Sequence, residues 1–262
     1  MQDENPTVAR FAVTAGAPQR LTTCLPLAER IHLALVSLSD GAEVFTGCDS
    51  SGKPLRGHGH AYVLCESNPV LGRGEQGEIT HVIIFASMGF CPREQNALQS
   101  LRDVWGPGEV RVSLLLQGLG RPEDFGGLDI ERGQSPLLAE SRTWVSRTPF
   151  ISTRHPKATR AGVPKRDAQG LQIGSPEHDL RRLLALERFP EPVIVESVAG
   201  TKLNGREVPW HAFLRRREAG EGKPAANGAG YGYRIEFPVP VQGPVAVGYN
   251  VHFGMGVFQA GD

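Results

Sequence analysis

The run Ser51–Leu64 (SGKPLRGHGHAYVL) concentrates side chains that can move protons and hold phosphate. Lys53, Arg56, His58 and His60 place four nitrogen-bearing groups within eight positions, among the turn-permitting Gly52, Gly57 and Gly59. An imidazole titrates near neutral pH, and a neighbouring cation stabilises the extra negative charge of a pentacoordinate phosphorane. If His60 opens a strand, His58 and His60 fall on one face of the chain, because strand side chains alternate. The plainer reading is a glycine-rich turn whose histidines bond to backbone. His-x-His can also start a metal site, although no neighbouring Asp, Glu or Cys completes an obvious ligand set.

Two further stretches carry chemistry. Ser141–Lys157 (SRTWVSRTPFISTRHPK) alternates arginines and hydroxyls with Trp144, Phe150 and His155. Arginine grips phosphate through two donors and aromatics stack on unpaired bases, the combination that single-stranded RNA requires. An ordinary strand with a basic exposed face has the same composition. Gly243–Phe258 (GPVAVGYNVHFGMGVF) sets Gly248, Gly254 and Gly256 around Tyr249, His252 and Phe253. Glycines let backbone approach a phosphate, yet a closing strand with a bulge is the commoner origin of such a pattern. His32, His81 and His252 lie in apolar surroundings and read as core histidines.

Elements must hold these groups in place. The 262 residues suffice for one large domain or two small ones, and 40% hydrophobic content supplies an ordinary core. The apolar runs Val82–Ala86 and Val112–Leu116 fall far short of the ~20 residues a membrane helix needs, and the polar, acidic start is unlike a signal peptide. A cytoplasmic protein without a membrane partner is expected. Cys24, Cys48, Cys65 and Cys91 form no Cys-x-x-Cys pair and read as small buried hydrophobes. Basic and acidic residues balance at 28 each, but Ser141–Gly170 holds seven basic residues against Asp167, and Met1–Ser50 three against six acids. The chain is neutral in sum and polarised in distribution.

Phe11–Ala15 reads as a first strand, and Leu25–Leu38 as a helix with one apolar face at 27, 31, 34, 35 and 38. His60–Leu64 and Thr80–Ala86 read as strands separated by a Gly- and Glu-containing loop. Pro92–Trp105 reads as a helix stopped at Gly106-Pro107, and Val110–Leu116 as a strand. Strand, helix, strand, strand, helix, strand is a ferredoxin-like (βαββαβ) unit. Beyond Gly120, the pattern predicts a strand from Thr143, a long basic loop over Thr153–Ile173 and a helix over Pro176–Phe189. Strands follow at Val193–Val198, Trp210–Arg217 and Tyr231–Phe237. The second half fits a degraded ferredoxin-like unit short of one helix. The expected architecture is α+β, two such units over 1–120 and 121–262, with a C-terminal glycine-rich loop.

Taken in order, ARFAV (Ala9–Val13), LPLAERI (Leu25–Ile31), SGKPLRGHGHAYVL, RTWVSRTPFISTRHPK, EFPVPVQGPVAVGY (Glu236–Tyr249) and HFGMGVF (His252–Phe258) make a specific combination. The chain resembles the repeat-RNA-processing half of the fused type I-G (formerly I-U) CRISPR subunit, within the repeat-associated (RAMP) superfamily. The resemblance implies an endoribonuclease that cleaves CRISPR repeat RNA without a metal or other cofactor. The 2′-hydroxyl attacks the adjacent phosphate, leaving a 2′,3′-cyclic phosphate and a 5′-hydroxyl. Together with the density of titratable and cationic groups in Ser51–Leu64, the resemblance makes His58, His60 and Lys53 the catalytic candidates, with Arg56 on the scissile phosphate. Arg142, Arg147, Arg154, His155 and Lys157 would hold the repeat, with His252, Gly254 and Gly256 against its backbone. Repeat or guide RNA is the implied partner, together with other effector subunits. The fused members carry a backbone-type domain ahead of this region, whereas here ARFAV stands near the start, as in a stand-alone, excised or divergent form. One rival expectation is a non-catalytic RNA-binding effector subunit. The other is a metal-dependent hydrolase using His58, His60 and a third ligand.

Overall fold

The computed structural model describes residues 5–68, 77–105, 110–217 and 228–261. The first half runs β1 (Val8–Ala15), α1 (Cys24–Leu38), a short α2 (Glu43–Thr46), β2 (Tyr62–Glu66), β3 (His81–Phe85), α3 (Pro92–Ser100), β4 (Asp103–Trp105) and β5 (Arg111–Gly120). The strands form one sheet in the order β2-β3-β1-β5-β4, every neighbouring pair antiparallel. Without β4 this is the ferredoxin-like order, so the expected first unit is present.

Helix α1 turns Leu27, Ile31 and Leu35 into the core, together with Cys24, Leu25 and Ala28. Burying each of those large side chains contributes roughly 1.5–3 kcal/mol. With the helical turn before it, α1 makes an 18-residue stretch (Leu21–Leu38) long and apolar enough by composition to cross a membrane, but half of that stretch is buried in the core. β2 and β3 (YVLCE and HVIIF) are buried almost throughout. Val63, Cys65, Val82 and Ile84 join the core beneath α1, while Tyr62, Leu64 and Ile83 join a second cluster with Leu137, Leu138 and Val257. A sheet covered on both faces explains why these segments read as continuous apolar runs.

Two expectations change here. The helix from Pro92 ends at Ser100, because Leu101 is extended and Asp103–Trp105 pairs with β5 instead. Asp103 accepts hydrogen bonds from Arg111 at 2.7 Å and Ser113 at 2.6 Å, which fixes that hairpin. His60 lies in the loop before β2, which starts at Tyr62. The Gly106-Pro107 stop and residues 69–76 of the β2–β3 connection lie outside the described residues.

The second half continues with α4 (Pro122–Phe125), β6 (Glu140–Ser146), α5 (Pro176–Leu186), β7 (Ile194–Ser197), the hairpin β8 (Gly200–Leu203) and β9 (Arg206–Pro209), β10 (Tyr233–Gln242) and β11 (Phe258–Ala260). Its sheet is ordered β11-β6-β10-β7, again antiparallel throughout. Setting the β8–β9 hairpin aside, this is the first unit's strand order repeated. The second helix is absent, and the glycine-rich segment after β10 spans the gap with a single helical turn, Val251–Phe253. Left-handed backbone at Asn250, Gly254 and Gly256 and an extended-positive φ at Gly248 break any longer helix. Trp210–Arg217 is not the expected strand. It makes one helical turn (Trp210–Ala212) and then lies along α1, with Leu214 bonded to Thr22 and Arg217 paired to Glu29 at 2.6 Å. Trp210, Phe213, Phe253 and Met255 share the core of α1, so the halves are packed through common apolar residues.

A candidate active site between the two units

The loop from α2 to β2 is shaped by its own polar groups. Gly47 ends α2 in the left-handed conformation, and the Asp49 carboxylate accepts from the backbone N–H groups of Ser51 and Lys53. Leu55 and Ala61 return to backbone carbonyls of Gly47 and Val44. A Cβ on Gly47 would sit 2.8 Å from Cδ2 and Nε2 of His60, so glycine there admits the imidazole against the backbone.

From the other half, the glycine-rich segment lays its turn on β2 and α1. A Cβ on Gly254 would stand 3.1 Å from the carbonyl oxygen of Val63. This contact delivers His252 to the first unit. His252 stacks on His60 with centroids 3.7 Å apart and planes 17° from parallel, lies 4.2 Å from the Tyr62 ring and meets His58 edge-on at 5.6 Å. Nδ1 of His252 stands 3.1 Å from the carbonyl oxygen of Ala61, to which it donates when protonated there. Nδ1 of His60 is buried and has no hydrogen-bond partner among the described residues.

The three imidazoles differ in how readily they take a proton. Burial holds His252 well below its ordinary pKa and, with the neighbouring His58, lowers His60 to about 4. Both are neutral at neutral pH. His58 is raised, because its Nδ1 stands 2.8 Å from the Glu187 carboxylate at the end of α5. Its side chain is also 46% exposed, so it is the accessible member. Beside it opens a cavity of about 190 Å³ lined by His58, Tyr62, Ser87, Glu187, Gln242 and Gly243. Burial raises the Tyr62 phenol, which stays protonated and able to donate.

Lys53 and Arg56 are exposed on the same loop, with no side-chain partner among the described residues. Arg154, His155 and Lys157 are likewise exposed, on an irregular arm over residues 153–174 that folds back through Ala158–Pro164 and Arg166–Gln172 bridges. The buried Asp179 anchors its base by accepting from Ser152, from Thr153 and from Arg182. Arg142 is occupied by the Pro238 carbonyl at 2.6 Å.

Other candidates are structural. Arg147 is buried, donates to the carbonyls of Lys202 at 2.7 Å and Ser67 at 3.2 Å, and is lowered by burial to about 10. Those two donations tie its guanidinium to backbone. Gly254 and Gly256 are buried against protein backbone, a Cβ on Gly256 falling 1.9 Å from the Val247 carbonyl oxygen, so packing accounts for them. Trp144 and Phe150 are fully buried and offer no face to a base. A larger cavity, about 430 Å³, opens beside Glu66, Arg147 and Lys202, where Glu66 is paired with Arg10 at 3.0 Å and Arg147 donates to backbone carbonyls. Glu187, Tyr62 and Ser87 escaped the sequence reading. Only Glu187 carries a local signal, an acid in the last turn of a helix where the dipole disfavours it.

Among the described residues no group of three or more His, Cys, Asp or Glu side chains is arranged to hold a metal ion. No family model matches the chain, and no curated protein does. Among solved structures, a Cas6-related protein from Pyrococcus furiosus is 9% identical over 97% of this chain and 98% of its own, with a TM-score of 0.46. A Cas6 product complex is 14% identical over 97% and 99%, with a TM-score of 0.42. At such identities and scores no residue role is carried across.

Proposed function

We propose that this protein binds CRISPR repeat RNA and cleaves it by internal transesterification at the His58 pocket. The observation that carries the reading is the meeting of two remote segments, GHGH (Gly57–His60) and HFGMG (residues 252–256), where His252 stacks on His60 and stands edge-on to His58, which lines a cavity between two ferredoxin-like units. Those are also the segments in which the sequence resembles the processing half of the fused type I-G subunit. The 2′-hydroxyl attacks the neighbouring phosphorus, its proton leaves to a base, and the 5′-oxygen departs with a proton from an acid. His58 is the group placed to transfer protons with substrate, protonated by preference through Glu187 and therefore suited to the leaving 5′-oxygen. His60, neutral and one ring deeper, is the candidate base. Lys53 and Arg56 are the cations for the phosphate, and the arm carrying Arg154, His155 and Lys157 holds flanking RNA. A cytoplasmic location and other effector subunits belong to the same proposal.

The test is single-turnover cleavage of a synthetic repeat in EDTA. His58→Ala should slow it by about 100-fold or more, and a 2′-deoxy nucleotide at the cut site should abolish cleavage while leaving binding intact. Unchanged cleavage by His58→Ala would falsify the assignment. Tight binding with no cleavage by the unaltered protein would identify a guide-holding subunit instead.

A further inference from the structure

We infer that Glu187 is a positioning residue for the cleavage site, the second unit's contribution to a catalytic pair whose imidazole, His58, comes from the first. The inference rests on the reading above and adds a residue that no motif marks. Its geometry is specific. Helix α5 is capped by Ser175, whose hydroxyl accepts from the His178 N–H, and begins with Pro176. It ends where Glu187 bonds back to Leu183 and Arg188 turns left-handed at φ 66°. Phe189 then bonds to the Leu184 carbonyl and stacks on Phe237 at 5.8 Å. The helix end is therefore fixed against the second sheet, and Glu187 projects from a rigid terminus into the inter-unit cavity.

A carboxylate at the C-terminal end of a helix faces the negative end of the helix dipole, an unfavourable place. Here the His58 cation offsets it. The Glu187 carboxylate accepts from Nδ1–H of His58, which settles the tautomer and leaves Nε2 as the nitrogen available to substrate. The groups around His58 are His60 and His252 behind it, Tyr62 and Ser87 along the cavity, and Glu187. Of these only Glu187 carries charge at neutral pH. The two units are thus coupled: displacing α5 would remove the acid's counter-charge as well as opening the cavity.

Glu187→Gln keeps a side-chain acceptor and removes the charge; Glu187→Ala removes both. Two measurements decide the role. In histidine NMR titration of the free protein, Glu187→Gln should lower the His58 pKa by about one unit or more, the scale of an adjacent carboxylate. In single-turnover cleavage, Glu187→Gln should move the alkaline limb of the pH profile down by a similar amount with RNA affinity unchanged. Glu187→Ala should slow cleavage at least about tenfold but add nothing in a His58→Ala background. An unmoved His58 titration and pH profile in both variants, with His58→Ala inactive, overturns the role of Glu187 and leaves the nuclease reading intact. Full cleavage by His58→Ala overturns both. A moved titration in a protein that does not cleave overturns the catalytic role, leaving a structural ion pair.

Discussion

His58, His60 and His252 share a side chain and differ in surroundings, and the difference is what assigns their roles. Burial and neighbouring histidines hold His60 near pKa 4 and His252 well below its usual value, whereas a carboxylate at 2.8 Å raises His58. The consequence extends to stability. Between the unfolded value of 6.5 and the folded value near 4, the unfolded chain binds the proton that folded His60 refuses, so stability falls as pH is lowered through that window. His81, lowered to about 4 by burial, adds to the same trend. His58 opposes it, adding stability below its unfolded pKa that is lost as pH rises through its higher folded value. Melting curves from pH 7 to 4 should show a falling Tm, and His60→Gln should flatten the slope. Arginines divide the same way. Arg147→Ala leaves two carbonyls without their buried donor and removes a positive charge near Glu66, and should lower stability by several kcal/mol. Arg154→Ala should leave the melt unchanged and weaken RNA binding. Nothing in the sequence separates the two arginines, since both lie in one basic stretch.

Among elements, the glycine-rich segment decides most. It stands where the second unit's missing helix would run, and its turn carries His252 onto β2. Gly256 is left-handed and its missing Cβ is occupied by the Val247 carbonyl oxygen, while Gly254 is left-handed beside Val63. Gly256→Ala should destabilise by roughly 2–4 kcal/mol in urea unfolding and Gly254→Ala by less, on the scale of strained and overpacked sites. Cleavage should fall with the folded fraction, because both glycines act by packing. The long elements α1, α5, β3 and β5 were legible because periodicity and capping residues repeat over many positions. β4 and the β8–β9 hairpin were not, since three- and four-residue strands carry too little pattern. The turn at Trp210 was misread because local β propensity there is overridden by packing on α1.

At the scale of the molecule, zero net charge coexists with a basic arm and a site shared by two units. Arg154, Lys157, Arg160, Lys165 and Arg166 are exposed on that arm, and the fold holds its base through Asp179. Replacing Lys157, Arg160 and Lys165 together by glutamine should leave Tm in place. It should weaken repeat-RNA binding and lower the slope of log K against log salt by up to ~2, at about 0.7 per lost phosphate contact. An unchanged slope in a filter-binding titration would take the arm out of the RNA interface.

The sequence by itself determined the α+β class, the ferredoxin-like order of the first half and the glycine-rich run that carries His58 and His60. Those features follow from spacing between near neighbours, which a linear chain displays directly. The tertiary structure decided that the second unit replaces a helix with the glycine-rich segment. It placed His252 behind His60, gave His58 its partner in Glu187, and buried Arg147, Gly254 and Gly256 away from the surface. His58 and Glu187 are 129 positions apart, and His60 and His252 are 192 apart. Contacts at that separation arise only when two sheets close on a common core, and side-chain spacing along the chain carries no trace of them.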